Sequence, residues 1–138
     1  VQAVAAALEH HLRKHGRRAG MGSSSSGGLW QDASLRGDVN CWATAAELRA
    51  AGQPLLAAVL QLLASLRGQL SAAGYDVGGR CSCQLVCYPG SGARYVRHTD
   101  ASPSAPDRSI TALLYCNPDW DCQVREGVAA AAVLVCAH

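Results

Sequence analysis

Apolar residues recur at four-residue steps near the start of the chain, at Val4, Leu8 and Leu12, and this spacing predicts an amphipathic helix over Val1 to His15. His10, His11, Arg13 and Lys14 fall mostly on the other side, and Gly16 ends the helix. Adjacent residues on a helix diverge by about 100°, so His10 and His11 read as a solvated face. A short helix is expected over Ala43 to Ala50 and a longer one over Pro54 to Ala73. Pro54 suits a first helical position and Gly74 a C-terminal cap. Leu55, Val59, Leu62, Leu66 and Leu70 form a stripe at helical spacing that is expected to be core. Gln61, Arg67 and Gln69 interrupt the apolar run, which falls short of the roughly eighteen residues that argue for a membrane span.

Elsewhere the period shortens. Met21 to Gly28 contains four consecutive serines and reads as a flexible loop. Leu29 to Trp42 is expected to be extended, turning at Arg36-Gly37-Asp38. Arg80 to Tyr88, Arg94 to Asp100 and Arg108 to Cys116 are strand candidates, separated by Pro-Gly-Ser-Gly and by Ala-Ser-Pro-Ser-Ala-Pro. Pro118 terminates the third. Helices followed by short strands predict an α+β domain whose strands form a sandwich or barrel.

Composition narrows the function classes. A chain of 138 residues is one domain's worth and can bury its own core. It opens on Val1 and ends on an alanine-rich run, so a partial domain is expected. The net charge of +2, with neither sign dominating any region, gives no reason to expect nucleic acid as a partner. Seven cysteines, an odd number without a signal peptide, point to reduced thiols in a cytoplasmic or nuclear protein. Cys81, Cys83 and Cys87 lack C-x-x-C zinc spacing and read as small buried hydrophobes.

The most demanding chemistry lies in Leu85 to Asp100. His98 and Asp100 are metal-capable and one residue apart; on a strand they would project from the same face. That is two thirds of a 2-His-1-carboxylate set, which suits Fe(II) with open positions. Cys-Tyr-Pro-Gly-x-Gly precedes Tyr-Val-Arg-His-x-Asp, and Arg108, Tyr115-x-Asn117 and Asp119-Trp-Asp121 follow. In order and spacing these pieces resemble the prolyl 4-hydroxylase branch of the Fe(II)/2-oxoglutarate dioxygenases, and more narrowly the hypoxia-inducible-factor prolyl hydroxylases. The likeness runs closely from about Gly79 to Val124, and Arg36-Gly37-Asp38 with Trp42 extends it upstream.

The resemblance implies a partial double-stranded β-helix, or jelly-roll, with the N-terminal helices packed on its outside. It implies Fe(II), 2-oxoglutarate and L-ascorbate as cofactors and a proline-containing protein or peptide as substrate. His98 and Asp100 would hold the metal, and Tyr88 and Tyr115 would hydrogen-bond 2-oxoglutarate. Asp38, Arg108 and Trp120 would lie on the substrate side, with Asp38 pairing a basic residue such as Arg108 to hold its loop. Gly90 and Gly92 would permit a tight connection beside the pocket.

After Val124 the chain departs from the family pattern. A complete member has a second histidine and, beyond it, an Arg or Lys for the distal carboxylate of 2-oxoglutarate. This chain reads Arg125 to His138 without either pattern, and His138 comes too soon after Asp100. The expectation is therefore a C-terminally incomplete hydroxylase domain, weak or inactive. The alternative is a catalytically dead module that retains the peptide groove.

Overall fold

The computed structural model describes residues 1–18, 22–23, 29–30, 32, 34–77, 81–98, 108–117 and 129–137, with the backbone alone at 22–23, 29–30, 81, 108–109 and 129–137. Three helices and seven strands follow in the order α1 (Gln2–His15), β1 (Arg17–Arg18), β2 (Gly22–Ser23), β3 (Leu29–Trp30), β4 (Val39–Trp42), α2 (Ala45–Ala50), α3 (Pro54–Ala72), β5 (Cys81–Tyr88), β6 (Arg108–Tyr115) and β7 (Ala129–Ala137). Five strands form one antiparallel sheet in the order β1-β4-β5-β7-β6, while β2 and β3 pair separately. Because β7 lies between β5 and β6, the β5-to-β6 connection skips a place in the sheet, unlike a meander. The result is an α+β fold with a small antiparallel sheet and helices on one of its faces. Among the described residues the sheet stays open and no barrel closes.

Alternation along β5 decides which face is core. Cys83 and Leu85 are buried against the helices, with Cys87 packed beside them. Val39 and Cys41 pair with Cys87 and Leu85 and join the same cluster, as do Ala112 and Leu114 of β6. Leu8 and Leu12 of α1, Leu48 of α2, and Leu56, Ala57, Leu60 and Leu63 of α3 supply the opposing layer. The α1 stripe thus packs as its period predicts, with one exception. His11 is only 7% exposed, because it stands three residues beyond Leu8 and shares that face. His15, one turn further, lies against it with ring centroids 4.6 Å apart.

In α3 the boundaries match the sequence and the buried face does not. Pro54 occupies the first turn. At the other end Gly74 takes φ 89°, and Tyr75 N donates to Leu70 O and Gly74 N to Ser71 O, both at 3.0 Å. Those two bonds are a Schellman closure. The buried stripe, however, is Leu56, Leu60 and Leu63, whereas Leu55 is 41% and Leu62 65% exposed. Leucines surround this helix, so periodicity alone cannot choose a side. By length and mean hydropathy (1.4) it could also cross a membrane, yet its buried leucines pack against α1, α2 and the sheet.

Two further differences concern strands. Ala129–Ala137, where the resemblance fades, pairs with β5 along Cys81–Tyr88 and with β6; alanine has little strand propensity, and its neighbours on both sides impose the conformation. Conversely, the described part of Arg94 to Asp100 forms no ladder, only a single bridge between Tyr95 and Arg36. In the serine-rich 21–28 stretch, Gly22–Ser23 pair with Leu29–Trp30, and the other positions lie outside the described residues.

Candidate active site

The sheet face away from the helices carries Asn40, Trp42, Gln84, Val86, Tyr88, Leu113 and Tyr115, by alternation and register. Tyr88 pairs with Ala129 and Tyr115 with Ala131. Those partners are two apart on β7, so both tyrosines belong to one face. Tyr88 is half-buried and Tyr115 is 61% exposed. Burial first, and then the Asp38 charge, pushes the Tyr88 hydroxyl up to about 12, with Arg36 acting in the opposite sense. Tyr88 therefore keeps its proton at neutral pH and can donate to a carboxylate.

Arg36, Asp38 and Asn40 alternate on an extended segment, which directs all three side chains to one side. Asp38 is fully buried. Arg36 donates to it twice, Nε to Oδ1 at 2.6 Å and Nη2 to Oδ2 at 3.0 Å, a bidentate pair. Asn40 Nδ2 donates to Oδ2 at 2.8 Å, and Gln84 Nε2 donates to Asn40 Oδ1 at 2.9 Å. The pairing expected from Arg108 is thus made by Arg36, two residues away on the same segment; Arg108 is described by its backbone alone. Burial opposes the charge of Arg36, but the hydrogen bond and charge of Asp38 outweigh it and raise the guanidinium above its ordinary value.

From Arg36 the contacts continue toward the histidine. The Arg36 Cζ stands over the Tyr95 ring, 4.3 Å from its centroid, in cation–π contact. Tyr95 in turn stacks on His98, with centroids 3.6 Å apart and planes 19° from parallel. The backbones are joined as well: Gly37 N donates to Arg94 O and Val96 N to Leu35 O, each at 2.9 Å. The turn after Tyr88 brings this segment back. Gly90, Ser91 and Gly92 all have positive φ, and Ala93 N closes on Gly90 O at 2.9 Å. Positive φ at both central residues, Ser91 and Gly92, is the condition of a type I′ turn.

His98 is exposed, and its Nδ1 lies 2.9 Å from Val96 O. A carbonyl oxygen only accepts, so in the neutral ring Nδ1 is the nitrogen that carries the proton. That tautomer fits a metal ligand whose other nitrogen is held by a backbone carbonyl. Among the described residues no three His, Cys, Asp or Glu side chains gather as a metal cluster. Asp100, Trp120 and His138 lie outside the described residues. The structure thus joins Asp38 to His98 through Arg36 and Tyr95; Tyr88, which feels the charges of Asp38 and Arg36, shares its sheet face with Tyr115. Sequence reasoning missed the parts played by Arg36, Asn40, Gln84 and Tyr95; the two-residue spacing of Arg36, Asp38 and Asn40 was the available signal.

No family model matches the chain. Over 74 residues, 54% of this chain, it is 36% identical to human Egl nine homolog 1. Over 54 residues it is 43% identical to rat prolyl hydroxylase EGLN3, and over 47 residues 49% identical to the hypoxia-inducible factor prolyl hydroxylase of Caenorhabditis elegans. Over 34–54% of its length the chain is similar to hypoxia-inducible-factor prolyl hydroxylases. The matches cover 17%, 22% and 6% of those prolyl hydroxylases, well under two thirds of any of them. The fold agrees: a Trichoplax adhaerens prolyl hydroxylase, solved with a hypoxia-inducible-factor oxygen-degradation-domain peptide, superposes with a TM-score of 0.63 at 17% identity, covering 98% of this chain and 78% of that one.

Proposed function

We propose that this chain carries the site of a peptidyl-prolyl 4-hydroxylase that uses Fe(II), 2-oxoglutarate and O2, with ascorbate to keep the iron reduced. The observation that carries this reading is the contact chain from Asp38 through Arg36 and Tyr95 to His98, in a chain related to the prolyl hydroxylases. His98 would offer Nε2 to the metal beside the Asp100 carboxylate. Bound Fe(II) would supply oxygen activation coupled to decarboxylation of 2-oxoglutarate to succinate. Tyr88, with its proton firmly held, would donate to the 2-oxoglutarate carboxylate, and Tyr115 would do the same from the neighbouring part of the sheet face. Asp38 would serve the substrate side indirectly by fixing the extended Arg36–Asp38 segment, with Arg108 and Trp120 nearer the peptide. The substrate would be a proline-containing protein segment, as in the relative solved with its peptide.

Cys41, Cys83, Cys87 and Cys116 form no disulfide. Burial raises Cys41, Cys87 and Cys116 above the usual thiol range, which lowers their thiolate fraction; the compartment we propose is the cytoplasm or nucleus. The test is release of succinate from labelled 2-oxoglutarate by the 138-residue chain. Slow, Fe(II)-dependent release that disappears in His98→Ala and Asp100→Ala is expected. Release unaffected by both substitutions would contradict the assignment, and peptide binding without any succinate would favour the catalytically dead module.

A further inference from the structure

We propose that Tyr95 is a positioning residue that sets the plane of the His98 imidazole, with Arg36 as its backstop. The inference rests on the reading of His98 as a ligand but starts from a separate fact. His98 lies on a segment without a ladder. The last described backbone bond tying that segment to the rest of the fold is made by Val96. An exposed imidazole two residues past this tether would sample several rotamers. Two described contacts bear on its plane, Nδ1–H on Val96 O and the stack on Tyr95.

The Tyr95 ring is itself held. A stack at 3.6 Å between centroids covers one face of the phenol and leaves no room there for a guanidinium carbon 4.3 Å from the same centroid. Tyr95 therefore sits between His98 and Arg36. Arg36 cannot swing away, because both of its hydrogen-bonded nitrogens are fixed on buried Asp38, and Asp38 is fixed again by Asn40, which Gln84 holds in turn. The order of β4 and β5 is thus carried through a planar fork and a planar ring to the imidazole. The guanidinium fork is pre-organised for the carboxylate that holds it, so its plane is set once both hydrogen bonds to Asp38 form, and the phenol ring lies against that plane. Groups that orient a metal-binding histidine from behind typically change metal affinity by about 10- to 100-fold when removed.

The experiment uses the 15N-labelled 138-residue chain with Tyr95→Phe, Tyr95→Leu and Tyr95→Ala. In metal-free protein at neutral pH, long-range 1H–15N spectra read the His98 tautomer and Mn(II) titration by water-proton relaxation reads affinity. Wild type and Tyr95→Phe are expected to show a protonated Nδ1 and Mn(II) affinities within about twofold of each other, because the ring face is kept. Tyr95→Leu and Tyr95→Ala are expected to move His98 toward a tautomer mixture and to weaken Mn(II) by about tenfold or more. Should Tyr95→Ala fail to fold, Tyr95→Leu, which fills the space without an aromatic face, decides. An unchanged His98 spectrum in the folded leucine variant overturns the positioning role. Absence of Mn(II) binding by wild type overturns instead the metal reading, and the metal-free spectra still decide the role of Tyr95.

Discussion

Removing the Asp38 carboxylate would leave three donor groups facing nothing. Arg36 donates to it through Nε and Nη2 and Asn40 through Nδ2, while the side chains of Arg36 and Asp38 are 14% and 0% exposed. Breaking a buried ion pair by deleting one partner costs about 3–5 kcal/mol, because the other charge stays desolvated. The slight exposure of Arg36 and its contact with Tyr95 place Asp38→Ala at the lower end, and the orphaned Asn40 amide adds up to about 1 kcal/mol. A loss of about 3–4 kcal/mol is expected, a large part of a domain's net stability of about 5–15 kcal/mol. In urea this moves the midpoint down by roughly 2 M with an unchanged slope. Asp38→Asn keeps the shape and loses the charge, so about half that loss is expected. The double change Arg36→Met with Asp38→Leu removes both charges together and is expected to recover most of the stability. A loss below about 1 kcal/mol in Asp38→Ala, especially with weakened peptide binding, would mean that the carboxylate faces the substrate and not Arg36.

Other parts of the fold give sharper single tests. Thr44 caps α2 in a capping box with Glu47, so Thr44→Ala is expected to cost about 1 kcal/mol in chemical denaturation. Leu85 is fully buried at the centre of the helix–sheet core, and Leu85→Ala is expected to cost about 3–4 kcal/mol. A Cβ at Gly16 would lie 2.4 Å from Leu12 O and 2.5 Å from Val39 Cγ1. Gly16→Ala should therefore destabilise by about 1–3 kcal/mol despite its ordinary φ of -71°. Burial, then His15 and His10, lowers His11 below 6.5. The unfolded chain takes this proton first, so the stability tied to neutral His11 is lost as pH falls through 6.5 and levels off below the folded value. His11→Gln is expected to flatten that part of the curve in urea midpoints measured from about pH 7.5 to about pH 5.

What the sequence disclosed follows from how local each cause is. Val4, Leu8 and Leu12 face one way on any helix, and Pro54 with Gly74 brackets α3 because proline sets its own φ and glycine accepts the positive φ that closes the helix. The alternation of Cys83, Leu85 and Cys87 likewise gives β5, and Gly90 with Gly92 gives its turn. The misread features depend on neighbours distant in sequence. Leu56 rather than Leu55 faces the core because the sheet and α1 lie on that side, and an all-round leucine helix does not say so. Alanines 129 to 132 become strand only because β5 and β6 flank them. Tyr95 has strand chemistry, yet it makes only one described bridge, to Arg36, and its ring contacts the Arg36 guanidinium and the His98 imidazole. The candidate site follows the same rule: the residue types at Tyr88, His98 and Tyr115 announce chemistry, while the Arg36–Tyr95 support exists only in the folded chain.

The most direct test is equilibrium binding of labelled 2-oxoglutarate to the 138-residue chain under anaerobic conditions, with and without Mn(II), for wild type, Tyr88→Phe and His98→Ala. Binding that requires the metal, weakens about tenfold when the Tyr88 hydroxyl is removed, and vanishes with His98 is the predicted result. Equal binding with and without metal, or in His98→Ala, would contradict it.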